Sequence, residues 1–174
     1  PFGSKLKTVH YKDAGPRVIR LQNIGDGVFY DEKAHISDDH FETLRKHEIF
    51  AGDLVIGALG ATLPRSCIIP EFVGPAIVKA DCMRFKPHVE IGDVRYMNAT
   101  LNSQVLKNNA ASIIHGIGRP RLNQGEIKSL QIPLPTLEEQ KVIANKVERR
   151  LSVADEIEKE LDQALARSER LRQS

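Results

Sequence analysis

The chain has 174 residues, 25 Lys+Arg against 23 Asp+Glu and 41% hydrophobic residues, which fits one ordinary globular domain with an appendage and excludes a disordered or fibrous protein. No run of 18 apolar residues occurs, so neither a membrane span nor a membrane partner is expected. Cys67 and Cys82 match neither a disulfide framework nor a metal spacing and point to a reducing cytoplasm. The net charge of +2 is unevenly spread: residues 1–135 carry 17 Lys+Arg and 14 Asp+Glu, residues 136–174 carry 8 and 9. An anionic partner is therefore expected to meet the first part. The chain starts at Pro1 with no Met and no apolar leader core, and reads as a piece of something longer.

Residues 1–135 read as mixed α/β. Arg17 to Ile24 has the content of a strand and is followed by a turn at Gly25-Asp26-Gly27. Ser37-Asp38-Asp39 opens a short helix with Phe41 and Leu44 on one face. Gly52-Asp53 is a turn, and Leu54 to Leu59 is a buried strand. Short strands follow at Cys67–Ile69, Ala76–Val78 and Cys82–Phe85. Asp93 caps a second helix with Val94, Met97, Leu101 and Val105 in phase. A glycine loop from His115 to Arg121 leads to Asn123, which with Glu126 caps a short helix ending near Leu130.

Ile132-Pro133-Leu134-Pro135 forces an extended segment and ends anything helical before it. Thr136 and Glu139 then form a capping box, and no Gly or Pro occurs up to Arg172. The helix predicted there spans roughly 36 residues, about 54 Å. Its apolar positions are Ile143, Val147, Leu151, Ala154, Ile157, Leu161, Leu165 and, less regularly, Leu171, one narrow stripe among charged faces. That pattern asks for a partner helix, as in a coiled coil. The predicted division is thus a globular domain over 1–135 and an assembly arm over 136–174, an α+β architecture ending in one coiled-coil-forming helix.

Catalytic motifs fail. There is no P-loop, no Gly-x-Ser-x-Gly, and no Asn/Asp-Pro-Pro-Tyr/Phe of the kind that holds a target base for amino-methylation. His10, His35, His40, His47, His88 and His115 are scattered as surface histidines, Asp26 reads as part of a turn, and Cys67 reads as a core thiol. No catalytic residue, metal or cofactor is expected. The informative positions are basic residues in loops: Arg65-Ser66 after the Gly57–Pro64 stretch, and Arg119-Pro120-Arg121 in the second glycine loop. Glycines let a backbone approach a phosphate, and arginine forks onto guanine O6 and N7. Solvated loop arginines are the bland alternative.

The run Val18 to Gly27, the Ala51-Gly52-Asp53-Leu54-Val55-Ile56 strand, the Leu130 to Ile143 segment with its Pro-x-Pro and Glu139-Gln140, and Val147-Glu148 with Leu151 to Asp155 resemble, in this order, specificity subunits of Type I restriction–modification systems. That resemblance implies one target recognition domain and its long helix, half of a subunit whose two helices pack antiparallel. It also implies no catalysis by the chain itself: modification (methyltransferase) subunits and, indirectly, a restriction subunit would act at duplex DNA chosen by it. The helix would meet a second half or another copy. The sequence lacks a second half and has no Trp, which the usual N-terminal segment carries. Arg65, Ser66, Arg119 and Arg121 are the residues expected to meet DNA, with Gln22 and Asn23 as weaker candidates. Ile143, Val147, Leu151, Ala154, Ile157 and Leu161 are expected to form the assembly seam. Competing readings are a pure protein-assembly module without DNA contact and a catalytic nuclease or methyltransferase.

Overall fold

The computed structural model describes residues 6–114 and 120–173. Two small sheets carry the domain. β2 (His35–Ile36), β1 (Tyr11–Ile19), β6 (Ala76–Val78) and β3 (Glu48–Ile49) form a four-stranded mixed sheet in that order, with β1 and β6 parallel. β5 (Arg65–Ile68), β4 (Leu54–Gly57) and β7 (Cys82–Phe85) form an antiparallel sheet.

β4 explains the layering. Its four residues are all buried, and alternate side chains point to opposite faces. Val55 joins Ile19, Ile49, Cys67, Val78 and Cys82 in the core between the sheets. Leu54 and Ile56 face Met83, Tyr96, Met97, Leu101, Leu106 and Ala144 in a second core under the helices. A third cluster, with Val18, Ile36, Phe41 and Ile77, covers the other face of the four-stranded sheet beneath α1 (Asp38–Thr43). Burial pushes both the Cys67 and the Cys82 thiols up to about 12, in keeping with core cysteines.

Four elements depart from the expected boundaries, one of them β5, which spans Arg65–Ile68 where Cys67–Ile69 was expected. The first strand begins at Tyr11 and stops at Ile19, because Leu21–Asn23 closes into a 3-10 turn in which Asn23 Oδ1 accepts from the Arg20 amide (2.9 Å). β4 ends at Gly57, short of Leu59. The helix after Asp93 is two helices, α2 (Val94–Leu101) and α3 (Gln104–Ala111). Ser103 caps the second by accepting from the Leu106 amide, and Asn102 turns its amide to the Asn98 carbonyl (2.7 Å) instead of continuing the helix. Val105, expected in phase with the core, is 71% exposed as a result.

α4 (Gln124–Ser129) has the full Asn123–Glu126 capping box. α5 runs Leu137–Gln173, 37 residues, about 55 Å. At its start the Thr136 amide and hydroxyl donate to Glu139 Oε2 (2.9 and 2.7 Å), which holds the Glu139 carboxyl below its ordinary range. The next residue, Gln140, is fully buried. Its Oε1 accepts from the Asp93 amide (2.9 Å), and its Nε2 donates to the carbonyls of Ile91 (2.8 Å) and Pro135 (2.9 Å). The Tyr96 hydroxyl donates to the Pro133 carbonyl (2.8 Å). The Pro-x-Pro…Glu-Gln segment is therefore a joint: the prolines deliver extended carbonyls, and Tyr96 and Gln140 take them up. Ala144 buries against α2 one turn later, Val147 is half-buried, and from Glu148 every described side chain is exposed. No helix among the described residues is long and apolar enough to cross a membrane.

Candidate nucleic-acid interface

The topology gathers loops at one end of the domain. β1, β6 and β4 finish there, and β5 and β7 begin there: Gly57 of β4 pairs with Arg65 on one side and Cys82 on the other. Pro120–Leu122 joins them, since Leu59 bridges to Arg121, the Gly60 amide donates to the Pro120 carbonyl (3.2 Å) and the Leu122 amide to the Ala58 carbonyl (2.9 Å). The loops after the first strand, after β4 and before α4 thus converge, and Arg65, expected in a loop, is instead the first residue of β5.

Arg65 lies in an open cleft of about 440 Å³ lined by Leu21, Gln22, Gly25, Asp26, Tyr30 and Thr62. Gly57 makes room for it: a Cβ there would stand 3.2 Å from Arg65 Nε and 3.3 Å from its Cγ. Nη2 donates to the Leu21 carbonyl (3.2 Å), and Nε is buried without a hydrogen-bond partner. Among the described residues the guanidinium meets no carboxylate: Asp26, which also lines the cleft, pairs with Lys107 Nζ (2.9 Å). The cleft therefore holds a partly buried cation beside the exposed Gln22.

Arg121 stands at the same end, with a side chain 56% exposed, and pairs with Asp81. Arg119 lies outside the described residues, as does the loop from His115 to Gly118. Two expected contacts are corrected. Ser66 is fully buried: its hydroxyl donates to Asn98 Oδ1 (2.8 Å), its amide donates to Asn102 Oδ1 (3.0 Å), and its carbonyl accepts from Asn102 Nδ2 (3.0 Å). Asn23 is also fully buried, donating from Nδ2 to the carbonyls of Tyr30 and Glu32 (both 2.8 Å). Both shape the loops from inside and present nothing to a ligand. Both are short polar side chains, and the partners that bury them, Tyr30 and Glu32 for Asn23 and Asn98 and Asn102 for Ser66, lie 7 to 36 positions away, beyond a local reading.

Tyr30 was not foreseen. It is 54% exposed at the cleft, and its amide donates to the Asn23 carbonyl (2.9 Å). A Cβ on Gly25 would collide with its ring at 2.6 Å, so glycine there is what lets the ring lie over the turn. A Gly-rich turn five residues before an aromatic was the only signal. Of the expected seam, Ile143 is 40% exposed, Leu151 59%, Ile157 54% and Leu161 58%, and Val147 and Leu151 line a recess that also includes Asp26 and Gly27. The side chain of Leu171 is outside what is described. No group of three His, Cys, Asp or Glu side chains suited to a metal ion occurs among the described residues.

Comparison with known proteins places this architecture. The specificity subunit of the EcoBI Type I restriction enzyme from Escherichia coli is 30% identical over 161 residues, 92% of this chain and 34% of that protein. The MjaVIII specificity subunit of Methanocaldococcus jannaschii is 23% identical over 150 residues, 35% of its length. The chain thus spans about a third of the curated relatives it matches. Among solved structures, the HsdS subunit from Thermoanaerobacter tengcongensis superposes with a TM-score of 0.64 at 20% identity, over 85% of this chain and 40% of that one. The S subunit from M. genitalium gives 0.55 at 18% identity, over 90% of this chain and 36% of that one. The model of the Type I restriction modification DNA specificity domain matches residues 18–167, nearly the whole of both sheets and the long helix, and the chain belongs to that family.

Proposed function

We propose that this chain reads one part of a duplex DNA target and leaves chemistry to other subunits: modification (methyltransferase) subunits held beside it and a restriction subunit recruited through them. Residues 1–135 are the reading unit and 136–174 the assembly arm, anchored by the Gln140 joint. The observation that carries the reading is the cleft around Arg65, where a partly buried guanidinium is positioned by a main-chain carbonyl and flanked by exposed Gln22 and Tyr30. Direct readout uses this combination: a forked cation for guanine O6 and N7, an amide for a second base edge, and an aromatic for an apolar contact. Arg121 on the neighbouring loop holds phosphate, and Asp81 keeps it oriented when DNA is absent. Ser66 and Asn23 are positioning residues, acting through the loops they tie down.

The test is a titration with the assembled methyltransferase against duplexes enriched from a random pool, at several salt concentrations. Arg65→Ala is expected to lower affinity for the enriched duplex about 5- to 150-fold and to relax preference at one base pair. Arg121→Ala is expected to weaken all duplexes alike and to lower the slope of log K against log salt by about 0.9. If both variants bind and discriminate as the parent does, the reading face lies elsewhere.

A further inference from the structure

Asp26 stands on the wall between two recesses. It lines the cleft that holds Arg65, and it also lines a recess of about 620 Å³ on the side of α2, α3 and α5, where Asn98, Asn102 and Lys107 lie. Its backbone is tied down beside Arg65. The Gly27 amide donates to the Ser66 carbonyl (2.9 Å), so Asp26 and Arg65 are each one residue from the hydrogen bond that joins their two segments. The same helical unit clamps both segments: Asn98 Nδ2 donates to the Gly27 carbonyl (3.3 Å), and Asn102 Nδ2 to the Ser66 carbonyl (3.0 Å). A carboxylate in this place has two cations to choose from, and it pairs with Lys107 Nζ at 2.9 Å. The Lys107 side chain is 14% exposed against 53% for Asp26, so the pair is anchored at its lysine end. An ammonium buried that far is costly without a counter-charge, which is why Lys107 keeps the carboxylate.

We propose that Lys107 is a positioning residue for DNA reading: it holds the Asp26 carboxylate away from Arg65 and so keeps the guanidinium for a base edge. Charge and place both matter here. An unbalanced carboxylate in the reading cleft repels the DNA backbone, and one joined to Arg65 occupies the fork that guanine O6 and N7 require. Paired with Lys107, Asp26 does neither. With the ammonium removed, Asp26 turns to Arg65 across the cleft, and DNA has to break that pair before the guanidinium can reach a base. The effect on DNA rests on Arg65 as a reading residue; the choice of partner by Asp26 does not.

Two measurements test the two halves of this. Lys107→Met keeps the length of the buried stem and removes its charge, and Lys107→Gln, shorter and still polar, should give the same results. Without DNA, the Arg65 Nε–H cross-peak in a nitrogen-15 NMR spectrum of the whole chain, assigned by its loss in Arg65→Gln, should move in Lys107→Met. It should keep its parent position in Lys107→Arg and return when Asp26→Asn is added to Lys107→Met. A peak that does not move, or that stays displaced after Asp26→Asn, overturns the proposal. With DNA and the assembled methyltransferase, Lys107→Met should bind the enriched duplex about 10-fold more weakly. Adding Asp26→Asn should recover most of that factor, whereas the same substitution in the parent should change affinity less than about 2-fold. Equal gains in the two backgrounds, or a log–log salt slope lowered by about 0.9 with no recovery, would make Lys107 a plain phosphate contact and overturn the proposal. So would a loss of binding in Arg65→Ala with none in Lys107→Met. If the cross-peak behaves as expected and neither Arg65→Ala nor Lys107→Met alters binding, the hold of Lys107 on Asp26 is upheld and Arg65 as a reading residue is what falls.

Discussion

The two ends of α5 share one amphipathic pattern and have opposite surroundings. In the first turns Gln140 is fully buried, Ala144 is 1% exposed, and each carbonyl delivered by the preceding prolines has a partner. From Leu151 onward the apolar side chains, spaced just as regularly, lie in the open at 49–61% exposed. Periodicity alone therefore does not say what an apolar stripe packs on. The buried end is distinguished by polar chemistry: a glutamine with three main-chain partners and a tyrosine with one. The exposed end has only charge around it, which suits a face closed by another helix after the domain has folded.

Breaking the buried end should give the largest effect. Gln140→Ala removes a fully buried side chain and the hydrogen bonds it makes to the Asp93 amide and the Ile91 and Pro135 carbonyls, and is expected to lower the free energy of unfolding by about 3 kcal/mol, read from urea denaturation. Tyr96→Phe removes one hydrogen bond from the same joint and should cost about 1 kcal/mol by the same measurement. Asp93 sharpens the contrast through pH. Burial raises its carboxyl, but the Tyr96 amide and the Arg95 side chain and amide together outweigh that and hold it below its ordinary value. A depressed carboxyl stabilises the fold at neutral pH and loses that contribution as pH falls through its folded value. The difference in midpoint between the parent and Asp93→Asn should therefore be full near pH 7 and shrink toward zero between about pH 5 and pH 2. At the exposed end, Ile157→Ala should change the unfolding free energy of the dilute chain by less than about 0.5 kcal/mol, because its side chain is 54% exposed on the helix surface.

What could be foreseen divides along the same line. The Thr136–Glu139 and Asn123–Glu126 caps, the Ser37 cap and the continuous α5 were legible, because each depends on residues within one helical turn. The break at Asn102 was not. Asn102 leaves the helix to satisfy Ser66, 36 positions away, and until β5 is placed beside α2 nothing distinguishes it from an ordinary helical asparagine. The same pairing hides Ser66 from the surface that its neighbour Arg65 reaches. Arg65 itself was legible as a basic residue after a glycine stretch, but its cleft was not, since Gln22 and Tyr30 enter it from a turn some 40 positions upstream. Buried Gln140 could have been suspected: a polar residue in phase with Ala144 and Val147, one step after a capping glutamate, is out of place on a solvent face.

Burial of β4 on both sides has a bearing on how the molecule opens. A strand shared by two cores cannot leave one without unmaking the other, so the amides of Leu54 to Gly57 should exchange with deuterium only through global unfolding. Arg65 opens the strand next to it and Arg121 lies on the adjoining loop, so both are held at the end of a frame that opens only as a whole.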